Sequence, residues 1–174
     1  MQSKKKLVLV LSCLAATAAF STASISTEYY KSKHTSTLAC QPSSNEEHAS
    51  DGLRYAKSGL NNVDQNKTIT VRCPVNLDGE TVGYKYTYDI HLIAKGTAKR
   101  AARQLKCALT EVASANRSKK QIQVRSADIT GTSAKSLSWL GVEKLAVNGG
   151  SAFTLECKLP PKVALANITV KRMG

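Results

Sequence analysis

Residues 82–92 read VGYKYTYDIHL, and apolar and polar side chains alternate through the whole stretch. Valine, three tyrosines, isoleucine and leucine occupy the even positions, while glycine, lysine, threonine, aspartate and histidine lie between them. A period of two is typical of a β-strand that buries one face and exposes the other. This stretch therefore predicts one long, half-buried strand.

The same alternation recurs along the chain between turns rich in Gly, Pro and Asn, and it predicts an antiparallel β-sandwich of about six to eight strands. One predicted strand bends at Gly141. Residues 98–112 also fit helical spacing, so a short helix near 98–104 that runs into a strand is an alternative there. The further segments with strand character are 67–75, 105–111, 121–124, 137–147, 153–159 and 166–171.

The N-terminal region has the three parts of a secretory signal peptide. Three lysines precede an apolar stretch, and small residues follow it, which predicts a signal peptide over 1–23 with cleavage after Ala23 or, as an alternative, Ala19. Lipidation at Cys13 is a second alternative, but the apolar run continues past that residue and favours ordinary cleavage. No apolar run reaches 18 residues, so we expect no membrane-spanning helix.

The remainder divides into a polar segment and one domain. Residues 24–39 are rich in Ser, Thr and Lys, and we expect a flexible lead-in there. We expect residues 40–174 to form a single β-sandwich domain. Together with the signal peptide, this organisation predicts a secreted or periplasmic protein.

Cysteine usage supports an exported protein. Cys13 would be removed with the signal peptide, so four cysteines would remain in the exported protein. An even number of cysteines in an oxidising compartment predicts two disulfides. Four cysteines allow three connectivities, and we favour the one that joins neighbours along the chain. No C-x-x-C pair is present, so the spacing of a zinc ribbon is absent from the sequence. The favoured pairs are Cys40–Cys73 and Cys107–Cys157.

Positive charge is concentrated in one stretch. The chain carries 25 Lys and Arg against 12 Asp and Glu. In residues 95–125 Glu111 is the one acid, and such a segment attracts anionic polymers. The sequence thus predicts an exported non-enzymatic protein that binds anionic polysaccharide, lipopolysaccharide or a surface partner here. The basic residues are Lys95, Lys99, Arg100, Arg103, Lys106, Arg117, Lys119, Lys120 and Arg125.

The positions of the aromatic residues bear on whether the chain recognises nucleic acids or, instead, carbohydrates or proteins. None stands near the basic segment to stack on bases, which disfavours a nucleic-acid reader. Tyr84, Tyr86 and Tyr88 share one face of the predicted strand at 82–92. The alternative function is therefore a carbohydrate- or protein-recognition module that uses this tyrosine-rich strand, although such a face is more often part of a core.

Metal-binding patterns are weak in this sequence. The spacing of the three histidines matches neither H-x-H nor i, i+4, so we expect three solvated imidazoles and no metal. Asn62, Asp64 and Asn66 alternate as calcium-loop oxygens do, but Lys67 takes the place of the expected glycine and no closing Glu follows. We therefore expect no metal and no cofactor. The histidines are His34, His48 and His91.

Catalytic patterns are equally weak. No G-x-S-x-G elbow and no glycine-rich phosphate loop occurs in the sequence. Glu46, Glu47 and Asp51 could form a carboxylate pair for glycoside chemistry, but a soluble loop explains them as well. A cleft that gathers His48, Asp51 and a serine would indicate a hydrolase. We expect no enzymatic activity.

Four cysteine-centred motifs also suggest a family. Residues 39–42 read ACQP and are followed by Tyr55 and by Asn61 or Asn62. Residues 71–75 then read VRCPV, 107–109 read CAL and 157–161 read CKLPP, with Ile168 near the end. In this order they resemble an uncharacterised family of small exported bacterial proteins with two disulfides in a β-sandwich. The resemblance covers roughly 39–171. It implies the same fold and compartment and brings no catalytic residues.

Overall fold

The computed structural model describes residues 31–43, 51–77, 83–98, 103–113, 119–145 and 151–173. Within these ranges the chain forms eleven β-strands and one 3-10 turn at Thr37–Ala39. Seven of the strands are long, within the six to eight expected, and four are short. The strands are β1 (Lys31–Thr35), β2 (Gln41–Pro42), β3 (Leu53–Ala56), β4 (Gly59–Asn62), β5 (Ile69–Val75), β6 (Lys85–Gly96), β7 (Arg103–Ala113), β8 (Lys119–Ile129), β9 (Lys135–Leu145), β10 (Ser151–Leu159) and β11 (Val163–Met173).

The strands form two antiparallel sheets that pack face to face. Sheet A has the order β3-β4-β11-β6-β9, with β1 paired to β11 beside β4. Sheet B has the order β2-β5-β10-β7-β8. All pairings between described strands are antiparallel. The predicted antiparallel β-sandwich is confirmed.

The core lies between the inner faces of the two sheets. On β6 the even-numbered residues from Tyr88 to Ala94 are buried, whereas the odd-numbered residues between them are half-buried on the outer face. Trp139 and Phe153 are the largest buried partners of this row from β9 and β10. Burial of apolar area stabilises the fold at roughly 25 cal/mol per Å². The alternation in the sequence thus corresponds to the buried inner face and the outer face of β6.

Strand β9 bends where the sequence predicted it. The pairing of β6 with β9 shifts register between Tyr88 and Ile90, which is a β-bulge. Gly141 lies within the bulge, where Leu140 and Gly141 oppose Asp89, and its φ of 64° is a conformation that glycine adopts without strain. Its backbone N–H donates to Asp89 Oδ1 at 2.8 Å. The bend predicted at Gly141 is confirmed.

Both favoured disulfides are present. Cys40 bonds to Cys73, and Cys107 bonds to Cys157. Cys107 and Cys157 face each other in register on β7 and β10, and the pairing of β2 with β5 brings Cys40 beside Cys73. All four sulfur-bearing side chains are fully buried in the core. Two disulfides in one sheet are consistent with an extracellular or periplasmic location.

Residues 24–39 were expected to be a flexible lead-in, but the structure shows a strand and a 3-10 turn in the C-terminal part of this segment. Strand β1 pairs with β11 over five residues, with Thr35 buried opposite Ile168. Thr37 Oγ1 then donates to the carbonyl of Leu165 at 2.9 Å. The expectation was wrong for 31–39 because this segment is held by backbone pairing and a buried hydroxyl rather than by apolar side chains.

Two other expectations lie wholly or largely outside the described residues. The predicted signal peptide, 1–23, is one of them. The alternative helix near 98–104 is the other, since 99–102 are not described and Arg103 already begins strand β7. The strand favoured over 105–111 is confirmed as part of β7. Among the described residues, no helix is long and apolar enough to cross a membrane.

Candidate functional site

An open groove of about 550 Å³ lies at one end of sheet A. The β3–β4 hairpin, the C-terminal end of β6, the β8–β9 turn and the β10–β11 turn form its walls. Its size falls within the range of ordinary ligand sites. The uncharged polar residues that line it are Ser58, Asn61, Thr97 and Thr132.

Strand register explains why the groove combines residues that are distant in sequence. Asn61 on β4 faces Arg54 on β3. Ala164 on β11 lies between Asn61 and Lys95 of β6 in the same row. Neighbouring strands are about 4.8 Å apart, so the Cα atoms of Arg54 and Lys95 are separated by roughly 14 Å. Both cationic side chains therefore belong to the groove, one toward each side.

The β10–β11 turn is fastened to the groove by four hydrogen bonds. Lys162 has a φ of 59°, and its backbone N–H donates to the carbonyl of Asn62 at 3.0 Å. Its Nζ donates to the carbonyl of Val63 at 2.7 Å. Thr97 donates to the Lys162 carbonyl from its backbone N–H at 2.8 Å and from its Oγ1 at 3.1 Å. The turn is thus tied to the segment after β4 and to the end of β6.

Below the groove, Asn62 joins the two sheets. This side chain is fully buried, and its Nδ2 donates to the carbonyls of Lys67 at 2.9 Å and Leu159 at 2.8 Å. Its Oδ1 accepts the backbone N–H of Asp64 at 3.0 Å. Because a buried amide must be hydrogen-bonded to be tolerated, this arrangement fixes the chain after β4 against the end of β10.

The segment 62–67, in which oxygen-bearing side chains alternate as in a calcium loop, forms a capped turn. Asp64 Oδ1 accepts the backbone N–H groups of Asn66 at 2.7 Å and Lys67 at 2.8 Å. The hydrogen bond from Asn66, followed by that from Lys67, holds the pKa of the Asp64 carboxyl below its ordinary value of 3.8. The Asn62 and Asp64 oxygens are therefore engaged by backbone donors in this loop.

Tyr55 is the aromatic member of the groove. Its side chain is 51% exposed, and its hydroxyl donates to the carbonyl of Cys40 at 2.9 Å. Because Cys40 is bonded to Cys73, the hydroxyl is anchored on a covalently restrained segment. Tyr55 pairs with Leu60, so its side chain lies on the opposite face of the β3–β4 hairpin from Arg54 and Asn61, at the border of the groove.

The tyrosine-rich strand does not form a platform. Tyr88 is 2% exposed and belongs to the core, and Tyr86 is half-buried beneath Arg172, whose guanidinium lies 5.2 Å from the ring centroid. Tyr84 is 64% exposed but precedes β6, roughly 36 Å along the chain from Lys95 at 3.3 Å per residue. Of the three tyrosines predicted to share a recognition surface, Tyr84 is the one that is exposed, so this strand does not present a row of rings to a ligand.

The predicted anion-binding segment is divided among several surfaces. Lys95 lines the groove. Arg103 lines an adjoining pocket of about 210 Å³, which shares Gly96 and Lys162 with the groove. Lys106 lies exposed on the outer face of sheet B. Of Lys95, Arg103 and Lys106, the first two lie near each other at the end of the sandwich.

The remaining members lie on strand β8 or outside the described residues. Arg125 Nε donates to the carbonyl of Ser138 at 3.2 Å, at the border between the two sheets. Lys119 and Lys120 are exposed at the start of β8. The three members outside the described residues are Lys99, Arg100 and Arg117.

The described histidines are hydrogen-bonded on the outer face of sheet A. His91 Nδ1 lies 2.8 Å from Ser138 Oγ, and His34 Nδ1 lies 3.2 Å from Thr169 Oγ1. In the described ranges no three His, Cys, Asp or Glu residues come together as metal ligands. His48, Glu46 and Glu47, which entered the hydrolase alternative, are not described by the structure.

Comparison with known proteins gives a likeness of fold. No family model matches the chain, and no curated protein matches it. The chain is similar to the CBM22-1 xylan-binding domain from Paenibacillus barcinonensis Xyn10C, with a TM-score of 0.50 and 12% identity over 82% of this chain and 93% of that one. It also resembles the xylan-binding module CBM15, with a TM-score of 0.49 and 8% identity over 81% and 95% of the two chains. At 12% identity the first likeness shows a shared β-sandwich fold.

Proposed function

We propose that this chain is a non-catalytic polysaccharide-binding domain that acts outside the cytoplasm and holds its ligand in the groove at the end of sheet A. The observation that carries the proposal is the composition of that groove. It combines an exposed aromatic residue at its border, Tyr55, with the hydroxyls and amide of Ser58, Asn61, Thr97 and Thr132. Convergent polar groups beside an apolar surface are the usual content of a ligand site.

The shape of the groove favours a chain-like ligand. It is open to solvent, and it continues past Gly96 and Lys162 into the pocket that Arg103 lines. An extended polymer can therefore contact both surfaces at once. A sugar ring offers hydroxyls to the polar residues and an apolar face to an aromatic ring, which matches both kinds of group in the groove.

A binding role fits the groove better than glycoside hydrolysis. Hydrolysis of a glycosidic bond ordinarily needs two carboxyl groups on either side of the bond. Among the described residues that line the groove, none is Asp or Glu. The groove thus offers hydrogen bonds and stacking, but no general acid.

Two observations bear on the compartment and on the first ligand to test. The two buried disulfides and the predicted signal peptide over 1–23 support export. The similar structure from Paenibacillus barcinonensis is named as a xylan-binding domain, so xylan is included in the test. Binding of lipopolysaccharide through the segment 95–125 stays a separate prediction.

The proposal is tested by affinity electrophoresis and calorimetry with soluble xylan, glucuronoxylan and polygalacturonate. We expect the protein to bind at least one of these polymers. Tyr55→Ala removes the ring and weakens that binding by about tenfold, since an aromatic contact contributes about 0.5–1.5 kcal/mol beyond its buried area. Tyr55→Phe keeps the ring and retains most of the affinity.

Tyr84→Ala is the matched control. It removes a tyrosine that is even more exposed, just before the far end of β6, and leaves binding unchanged. If no polymer binds, or if Tyr84→Ala weakens binding as much as Tyr55→Ala does, the groove is not a polysaccharide site.

A further inference from the structure

Resting on the proposed function, we infer that the groove selects polysaccharides that carry carboxylate groups, that is, polymers of uronic acids. Three cationic side chains line the groove, and they come from three separate strands or turns. Uncharged hydroxyls complete the polar lining. The cations are Arg54, Lys95 and Lys162.

Two of these cations are available to a ligand. Among the described residues, neither Arg54 nor Lys95 forms an ion pair or a side-chain hydrogen bond. Lys162 gives one hydrogen bond to a carbonyl, which leaves its positive charge uncompensated. Unpaired cations that share one concave surface raise the local concentration of anions.

Two glutamates elsewhere on the sandwich have basic partners. Glu156 forms a salt bridge with Arg72 at 2.9 Å, and Glu143 forms one with Lys85. Both pairs lie outside the groove lining. Neither glutamate therefore compensates the cations of the groove.

The geometry suits a polymer with repeated carboxylates better than a single small anion. Arg54 and Lys95 lie in one row across four strands, with Cα atoms roughly 14 Å apart. Cations spaced in this way can contact successive carboxylates of a uronate chain laid along the row. Arg54 can take a carboxylate with two parallel hydrogen bonds, and Lys95 binds one as a point charge.

The experiment compares each acidic polymer with its carboxyl-reduced form, which keeps the backbone linkages and loses the charge. The probes are polygalacturonate and glucuronoxylan, each parent beside its reduced derivative, measured by calorimetry at low and moderate salt. We expect the parent to bind at least about tenfold more tightly than the reduced form, and we expect salt to narrow the gap.

Variants assign the difference to the groove. Arg54→Gln and Lys95→Gln each lower the affinity for the parent polymer by about tenfold and leave the affinity for the reduced form unchanged. In the double variant, parent and reduced polymers bind alike. Lys158→Gln makes the same charge change on the outer face of sheet B, where this lysine is exposed, and it has little effect on either polymer.

The possible failures are distinguishable. If parent and reduced forms bind the wild-type protein equally, selection for carboxylates is refuted while polysaccharide binding stands. The same holds if Lys158→Gln weakens binding as much as Lys95→Gln does, because the effect is then one of net charge. If none of the polymers binds, the proposed function and the inference fall together.

Discussion

Replacement of Asn62 by alanine is the most informative change for the stability of the site. Its side chain is fully buried and makes three hydrogen bonds to the backbone, at Lys67, Leu159 and Asp64. Each such bond contributes about 1 kcal/mol net, and a buried group left without a partner costs about 1–3 kcal/mol. We therefore expect Asn62→Ala to lower the free energy of unfolding by about 3 kcal/mol.

Urea denaturation under non-reducing conditions measures this loss. Asn61→Ala is the matched control, since Asn61 is the preceding residue on β4, is only half-buried and makes no side-chain hydrogen bond to the described residues. It should change stability by less than about 0.5 kcal/mol while weakening polysaccharide binding. Asn62→Asp keeps the acceptor but loses both donations and buries a carboxylate near two carbonyls, so it should destabilise at least as much as alanine at neutral pH. A loss below about 1 kcal/mol for Asn62→Ala would refute the account of how the groove is held.

Three further predictions concern the covalent framework, one tight turn and acid stability. The disulfide between Cys107 and Cys157 closes 50 residues, so its removal by double alanine substitution should cost about 4 kcal/mol in urea denaturation, from the loop-closure relation. Gly59 has a φ of 116° and lies against a backbone carbonyl of β11, so Gly59→Ala should lower the unfolding free energy by more than about 2 kcal/mol, whereas Gly131→Ala, with a φ of 58° and open space around it, should cost about 1 kcal/mol. The lowered pKa of Asp64 means that its carboxylate adds stability above the ordinary value of 3.8, and that this contribution is lost as the pH falls through the folded-state pKa. Asp64→Asn should therefore lower Tm at neutral pH, and the gap to wild type should close in acid; a gap independent of pH would contradict the assignment.

The sandwich was predictable from the sequence because its long strands alternate. In β6, β7 and β10 every second residue faces a two-sheet core, so apolar and polar side chains alternate along these strands in the sequence. The disulfide pairing was also accessible, since the favoured pairs are neighbours along the chain. The bend at Gly141 followed from glycine inside a strand pattern.

The groove was not predictable by the same logic. Arg54, Tyr55 and Asn61 belong to the four-residue strands β3 and β4, which are too short for a period of two to stand out. They meet Lys95 only through the pairing of β11 with both β4 and β6, a contact between distant segments. Strand β1 was missed for a related reason, because its polar residues are held by backbone hydrogen bonds.

Surface charge misled the sequence interpretation in one respect. Residues 95–125 are contiguous in the chain, but they pass from β6 in sheet A to β7 and β8 in sheet B, and side chains along each strand alternate between two faces. The segment thus contributes Lys95 to the groove and Lys106 to the opposite sheet. Tyr55, which lines the groove, entered the sequence analysis only through the family resemblance, which assigned it no role.

An NMR titration of the ¹⁵N-labelled protein tests the central claim most directly. Xylo-oligosaccharides and oligogalacturonates are added in separate experiments, and the backbone amide shifts are followed. We predict saturable changes concentrated at 54–61, 95–97, 132 and 162, with oligogalacturonate giving the tighter curve. Changes centred instead on β7 and β8, or beside Tyr84, or no changes at all, would contradict the assignment of the groove as the binding site.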